Sequence, residues 1–326
     1  MKAIVQDRYG TVDALELREI DRPQVGDDEV LVRVHAAGVD PGVWHLMTGL
    51  PYLIRIAGYG FRAPKSPVRG NDVAGRVEAV GKGVNQFQAG DEVFGTADGT
   101  FAEYVSAKAT NVAPKPANLS FEQAAAVPTS ALTALQGLRD HGEAKPGQRV
   151  LIIGASGGIG TFAVQLAKAF GTEATGVCST SKVDMVRSLG ADHVIDYLRD
   201  DFTTTARRYD LILDMAGNRS LSTLRRALTH SGTLVIIGGE EGGRWLGGTD
   251  RQVRALLLSP FVRQRLRTFV AKESAEDLAV LKELIESGKV TPVVDKTYPL
   301  GEAAEAIRDL DEGRARGKLV LSVRPD

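Results

Sequence analysis

The chain has 326 residues, 43% of them hydrophobic and 25% charged, and a formal net charge of -1; this is a globular composition with room for roughly two domains of about 150 residues. So balanced a charge sets up no global field for nucleic acid or an acidic membrane surface, and no apolar run approaches the roughly 18 residues a membrane span needs. The single cysteine, Cys178, excludes an intramolecular disulfide and, with an N-terminus too short and polar for a signal peptide, points to a reducing, cytoplasmic setting.

The first third reads as β. MKAIVQ and EVLVRVHAAGV are strand-like and Val-rich, and VAGRVEAVG, DEVFG and AEYVSA follow between short Gly- and Asp-bearing turns. Strands at this spacing suit a small, partly closed β domain. Residues 41–67 form a longer, irregular stretch with Trp44, Tyr52, Tyr59 and Phe61; such a segment either lines a cleft or packs over a sheet. From Ser120 the texture changes to a helical run capped by that serine and interrupted at Pro128. QRVLIIG, EATGVCS, HVIDY, YDLILDMAG and GTLVIIGG then alternate with helical segments. Continuous apolar strands alternating with helices predict βαβ units and a doubly wound parallel sheet.

After Gly239 the chain turns polar and then basic, and the arginines of FVRQRLRTF read as a solvated face. SAEDLAVLKELIESG is an amphipathic helix with Ser274 as cap and Gly288 at its end, GEAAEAIRDLDEGRARG is another, and GKLVLSV closes the chain as a strand. A tail of about 55 residues is too short to build its own core, so it is expected to return to the N-terminal β domain. That places the doubly wound domain as an insertion in a split partner, with a cleft between them.

The stretch LIIGASGGIG sits where a predicted strand meets a predicted helix. Gly154, Gly157 and Gly160 are spaced three apart and Gly158 is an extra; with Ala155, Ser156 and Ile159 they form a turn that permits close backbone approach to a pyrophosphate. The helix start adds free N–H groups and partial positive charge. A glycine turn alone can serve packing only, but here both flanks match the dinucleotide fingerprint, and the ending of a P-loop is missing. An Asp or Glu after the second strand would bond the ribose 2′-hydroxyl of NAD. This chain has Ser179, Thr180, Ser181 and Lys182 there, and hydroxyls with a cation suit the 2′-phosphate of NADPH, unless Lys182 is simply a surface residue.

The whole chain resembles the zinc-independent, quinone oxidoreductase-like branch of the medium-chain dehydrogenase/reductase superfamily. EVLVRVHAAGVDP, RGNDVAGRVEAVG, AGDEVFG, GTFAEYV, AAAVPTSALTALQGL, PGQRVLIIGASGGIG, ATGVCSTSK, LGADHVIDY and GKLVLSV carry the resemblance, in the family's order. It implies a GroES-like catalytic domain from residues 1–122 and 271–326, with a Rossmann-type NADP-binding domain inserted at 123–270. Zinc-dependent members carry a cysteine in the segment that reads AAGVDPG here and a His-Glu pair where this chain has Asn71-Asp72; neither His45 nor His35 restores three convergent ligands. No metal is therefore expected, and Asp72 is expected to bond the turn from Gly70 to Gly75.

Without a metal, the chain must position the nicotinamide against an electrophile whose π system spreads the incoming charge. The resemblance implies hydride transfer from NADPH to a quinone, or to an alkenal or enoyl double bond. A non-catalytic NADPH-binding, redox-responsive protein is the rival of another class. Thr129 is expected near the nicotinamide with Thr133 one turn on, and Asp40 stands where relatives often have Asn. Trp44, His45, Tyr52 and Tyr59 are pocket or packing candidates. Tyr197, Ala216, Gly217, Asn218, Ile237, Gly238, Gly239 and Lys318 complete the expected cofactor contacts. The expected partners are a small-molecule electrophile and a second copy of the chain, with neither nucleic acid nor membrane.

Overall fold

The fold is taken from a computed structural model, which describes residues 1–204, 206–238 and 243–324. Two compact units emerge: Met1–Leu132, Glu273–Gly288 and Pro292–Asp326 form one, and Thr133–Lys272 with Lys289–Thr291 form the other. The first unit opens with β1 (Lys2–Val5) antiparallel to β2 (Glu16–Glu19). Then come β3 (Glu29–Val39), α1 (Pro41–Thr48), β4 (Asp72–Val80), β5 (Glu92–Thr96), β6 (Tyr104–Lys108), β7 (Val112–Pro114), α2 (Phe121–Ala125) and α3 (Pro128–Gln136).

Residues 41–67, expected to be irregular throughout, begin instead with helix α1. The Asp40 side chain accepts the Gly42 N–H and Pro41 takes the first turn, where its missing N–H leaves no bond unmade. At α2, Ser120 and Gln123 form a reciprocal capping box, and the helix packs on β3 and β4. That packing carries the first segment past the expected boundary at 122, and the division falls inside α3.

The second unit holds a six-stranded parallel sheet. Its strands are β8 (Arg149–Ile153), β9 (Glu173–Cys178), β10 (His193–Asp196), β11 (Tyr209–Asp214), β12 (Leu228–Ile236) and β13 (Arg265–Thr268), in the order β10-β9-β8-β11-β12-β13. This is the Rossmann order, with its switch point between β8 and β11. The connecting helices are α4 (Gly158–Ala169), α5 (Val183–Ser188), α6 (Leu221–Ala227) and α7 (Thr249–Leu258). Leu151, Ile212, Leu234 and Ile236 are fully buried and join one core with Val177 and Leu266, as strands covered on both faces require.

The basic stretch forms β13, a strand the sequence did not signal, while its arginines Arg263 and Arg265 are exposed, as read. Leu266 is buried while Arg265 and Arg267 reach Glu143 at 2.7 and 2.9 Å. A short strand with a single core residue lacks the apolar run that marks a strand in sequence.

The chain then returns to the first unit through α8 (Ala275–Glu286), β14 (Val294–Pro299), α9 (Ala303–Asp311) and β15 (Lys318–Ser322). Ser274 caps α8 by accepting the Asp277 N–H at 3.2 Å. β15 lies antiparallel on β3, and the sheet reads β14-β15-β3-β4-β5-β7 with β6 also on β3. Both ends of the chain thus build one mainly β unit.

Candidate functional site

In the second unit, β8 ends at Ile153 and the chain turns at Gly154 with φ +90, a conformation that L side chains rarely adopt. Gly157 occupies the N-cap of α4 and offers no side chain, so the first amides of the helix stay uncapped. A Cβ on Gly160 would run into the Gly154 carbonyl oxygen and the Ala155 backbone; this glycine lets the helix close onto the turn. Ala155, Ser156, Gly158 and Ile159 complete the loop, with Ala155 fully buried and its N–H donated to the Val177 carbonyl at 3.0 Å. Helix amides without a side-chain cap above a tight glycine turn are the kind of group that can take phosphate oxygens.

At the end of β9, Thr180–Lys182 form a short helical turn with Ser179 at its N-cap. The Thr180 hydroxyl donates to Asp196 at 2.5 Å, and Asp196 also lies 3.5 Å from Arg199. Asp196 is buried at the end of β10. The sequence reading missed it, although its place as the acid that ends an apolar strand was visible. Tyr197, next in line, is 49% exposed.

A second organiser that the sequence reading missed is Asp214, fully buried as the last residue of β11. Its carboxylate accepts the Gly217 N–H at 3.2 Å and pairs with Arg251 of α7. Its carbonyl accepts the N–H groups of Ile237 and Gly238. One residue therefore ties the ends of β11 and β12 together, with Gly217 at φ +74, Ala216 half-buried and Asn218 exposed. Gly239 lies outside the described residues.

The first unit holds a buried polar cluster. Asp72 Oδ1 accepts both the N–H and the hydroxyl of Thr129, at 2.9 and 2.5 Å, and Oδ2 accepts Lys318 Nζ at 3.1 Å. Asn71 Nδ2 donates to Thr129 Oγ1 at 3.1 Å. Asp72 therefore does not bond the Gly70–Gly75 turn as expected. It points across the sheet, where Gly38 leaves room for it; a Cβ there would lie 2.8 Å from Oδ2. Lys318, expected among the cofactor contacts, is 2% exposed and gives its ammonium to Asp72. Asp40 is buried beside this pair, and burial pushes its carboxyl above the usual carboxylate range.

The aromatic candidates divide. Trp44 packs against the core of the first unit, and His45 meets it edge-on while its Nδ1–H donates to the Leu50 carbonyl at 2.8 Å. Tyr52 and Tyr9 flank the Arg55 guanidinium at 4.9 and 4.3 Å. Tyr59 is 51% exposed. Thr133 follows Thr129 on α3, buried, in the part of the helix assigned to the second unit.

A Rossmann-type sheet with an uncapped glycine turn, in one chain with a mainly β unit built from both chain ends, defines a nicotinamide-dependent dehydrogenase/reductase architecture. Residues 26–117 match the model of the alcohol dehydrogenase GroES-like domain, and residues 189–321 that of the zinc-binding dehydrogenase family. The chain is 34% identical to a mitochondrial NAD(P)H oxidoreductase of Bos taurus, over 99% of this chain and 89% of the relative. It is 33% identical to a chloroplastic NADPH-dependent alkenal/one oxidoreductase of Arabidopsis thaliana, over 98% and 79%. The solved quinone oxidoreductase of Coxiella burnetii superposes with a TM-score of 0.85 at 30% identity, over 99% of both chains. The chain belongs to the medium-chain dehydrogenase/reductase superfamily, as a quinone oxidoreductase-like NAD(P)H oxidoreductase.

The family's nicotinamide cofactor fits the residues present: the α4 amides have no side-chain cap, and a Cβ on the N-cap Gly157 would meet only the Gly154 carbonyl oxygen, at 3.6 Å, so the space before the helix is left open. Zinc does not fit. Asp72 is engaged by Thr129 and by a buried ammonium, and Cys178 is a buried thiol on β9 pushed up to about 11. Among the described residues no group of three or more His, Cys, Asp or Glu side chains could hold a metal ion. Among them, too, no helix is long and apolar enough to cross a membrane.

Proposed function

We propose that this oxidoreductase reduces a quinone with NADPH, with a conjugated enone or alkenal as the second acceptor class. The observation that carries this reading is the donor set around Thr129. An amide, a neutralised Asp72–Lys318 pair and a hydroxyl offer hydrogen bonds but no Lewis-acid ligand set. An acceptor that spreads charge through its own π system needs no more than positioning and a proton. A bound nicotinamide would supply the hydride. The α4 amides would hold its phosphates, and Asp214 fixes the loops after β11 and β12. The enone reading is kept because the alkenal/one oxidoreductase matches 98% of this chain. NADPH oxidation followed with naphthoquinone and with an α,β-unsaturated ketone tests the assignment: turnover of the ketone alone would overturn the quinone reading.

Preference for NADPH over NADH rests on Lys182 beside Ser179, with no carboxylate on the β9 turn itself. Changing Lys182 to Glu should raise KM for NADPH about ten-fold or more while sparing NADH; equal changes with both cofactors contradict the 2′-phosphate role. The single buried cysteine suits a reducing compartment such as the cytoplasm. A second copy of the chain is the proposed macromolecular partner, because β13 is an edge strand of the parallel sheet.

A further inference from the structure

We propose that Arg199 is a specificity-determining residue for the phosphorylated cofactor, held beside the β9 turn by the buried carboxylate of Asp196, where it pairs with the 2′-phosphate. β10 runs parallel to β9 with Asp196 opposite Cys178, and the Tyr197 N–H donates to the Cys178 carbonyl at 3.1 Å, so the two strands end side by side. The chain then doubles back on Asp196. Its carbonyl accepts the N–H groups of Arg199 and Asp200 at 3.0 and 2.8 Å, and its Oδ1 accepts that of Leu198 at 3.1 Å. This tight turn brings Arg199 Nε to the other carboxylate oxygen, Oδ2, at 3.5 Å. The same Oδ2 accepts the Thr180 hydroxyl of the β9 turn at 2.5 Å. One buried oxygen therefore joins the two turns and sets Arg199 next to Thr180.

In a Rossmann-type unit the adenosine ribose lies at the end of the second strand, which here is β9. A carboxylate beside that position would by itself repel a phosphate and favour the unphosphorylated cofactor. Here Arg199 offsets the Asp196 charge. Lys182 adds a second cation at the same strand end, since the Cys178 thiol feels both the Asp196 carboxylate and the Lys182 ammonium. Two cations against one carboxylate leave this end positive. The Arg199 side chain is 73% exposed, and among the described residues only Asp196 pairs with its guanidinium. Its terminal N–H groups are left to take two phosphate oxygens at once, a fork that a lysine cannot present.

This inference rests on the NADPH reading, and the test separates the two. Calorimetric titration of the full chain with 2′,5′-ADP and with 5′-AMP reads the 2′-phosphate alone, without a hydride acceptor or turnover. The unaltered protein should bind 2′,5′-ADP about ten-fold or more tightly than 5′-AMP. Arg199→Gln, a change on the surface, should raise Kd for 2′,5′-ADP about ten-fold and leave that for 5′-AMP unchanged. Arg199→Lys should restore part of the loss, because it keeps the charge without the fork. Asp196→Asn should also weaken 2′,5′-ADP selectively, because Arg199 loses the charge that positions it. An Arg199→Gln protein that keeps the preference of the parent overturns the proposal. So does an Asp196→Asn protein that binds 2′,5′-ADP more tightly, since Asp196 would then act by repulsion. An unaltered protein that binds the two nucleotides equally overturns the NADPH reading itself.

Discussion

Lys318 and Asp72 lie 246 positions apart in sequence and meet at 3.1 Å with 2% and 0% of their side chains exposed. Removing one partner of such a pair strands the other charge, which typically costs about 3–5 kcal/mol, whereas replacing both is far milder. Lys318→Met should therefore lower the urea midpoint sharply, and adding Asp72→Asn should recover much of the loss; equal losses in the single and double variants would show that packing, not charge, holds the site. Asp40 carries the opposite sign of pH dependence from an ordinary paired carboxylate. Its folded pKa is raised above the unfolded value, chiefly by burial. Between the two values the fold holds one more proton than the unfolded chain, so this contribution is full below the usual carboxylate range and is lost as pH rises through the folded value. Unfolding titrations of Asp40→Asn should lack that decline, leaving the variant relatively more stable at the upper end of the window. In the sequence these residues were visible as positions worth naming but not as a cluster. Asp40 stood out as a departure from relatives and Lys318 as a tail cation. Nothing local in either segment records that β15 returns beside β3.

Elements with strong local signals were legible, and those defined by their neighbours were not. The β8–α4 turn carried both an apolar strand and a helix start around its glycines, and the structure adds why the last of them is obligatory. Gly160 touches the Gly154 carbonyl and the Ala155 backbone, neither of which can move without opening the turn. Gly160→Val should abolish measurable NADPH binding by fluorescence titration and lower thermal stability, whereas a variant that binds NADPH normally would mean that α4 slides without consequence. α1 was missed although Asp40 and Pro41 are a recognisable helix start, because the aromatic run that follows masked the short periodic segment behind it. β13 was missed for a different reason. Its single buried residue, Leu266, takes its meaning from β12 alongside, and pairing between parallel strands leaves no mark in local composition. Asp196 and Asp214 share a signal that could have been used: an acid closing an apolar strand is too costly to bury unless it has partners. Here those partners are Thr180, and Gly217 with Arg251.

At the scale of the molecule, what remains is how the six-stranded sheet ends. Among the described residues β13 has β12 on one side and no strand on the other, although the Leu266 N–H is taken by the Ser259 hydroxyl at 3.2 Å, so only part of its backbone is left to pair. Around this edge Phe261 is 84% exposed, Val270 90% and Leu257 68%. Isolated apolar side chains on a surface are ordinary, but their gathering beside an open strand edge favours burial against a like edge. A two-fold pairing of β13 with its counterpart would satisfy both edges at once, since an antiparallel match of a strand with itself is self-complementary. Sedimentation equilibrium should therefore give twice the chain mass at micromolar concentration. Val270→Lys with Phe261→Asp should shift the protein to the monomer while leaving its far-ultraviolet circular dichroism unchanged. A parent protein that sediments as a monomer at every concentration would rule the pairing out. So would a variant that stays dimeric, because two charges buried against an apolar edge could not be accommodated without partners.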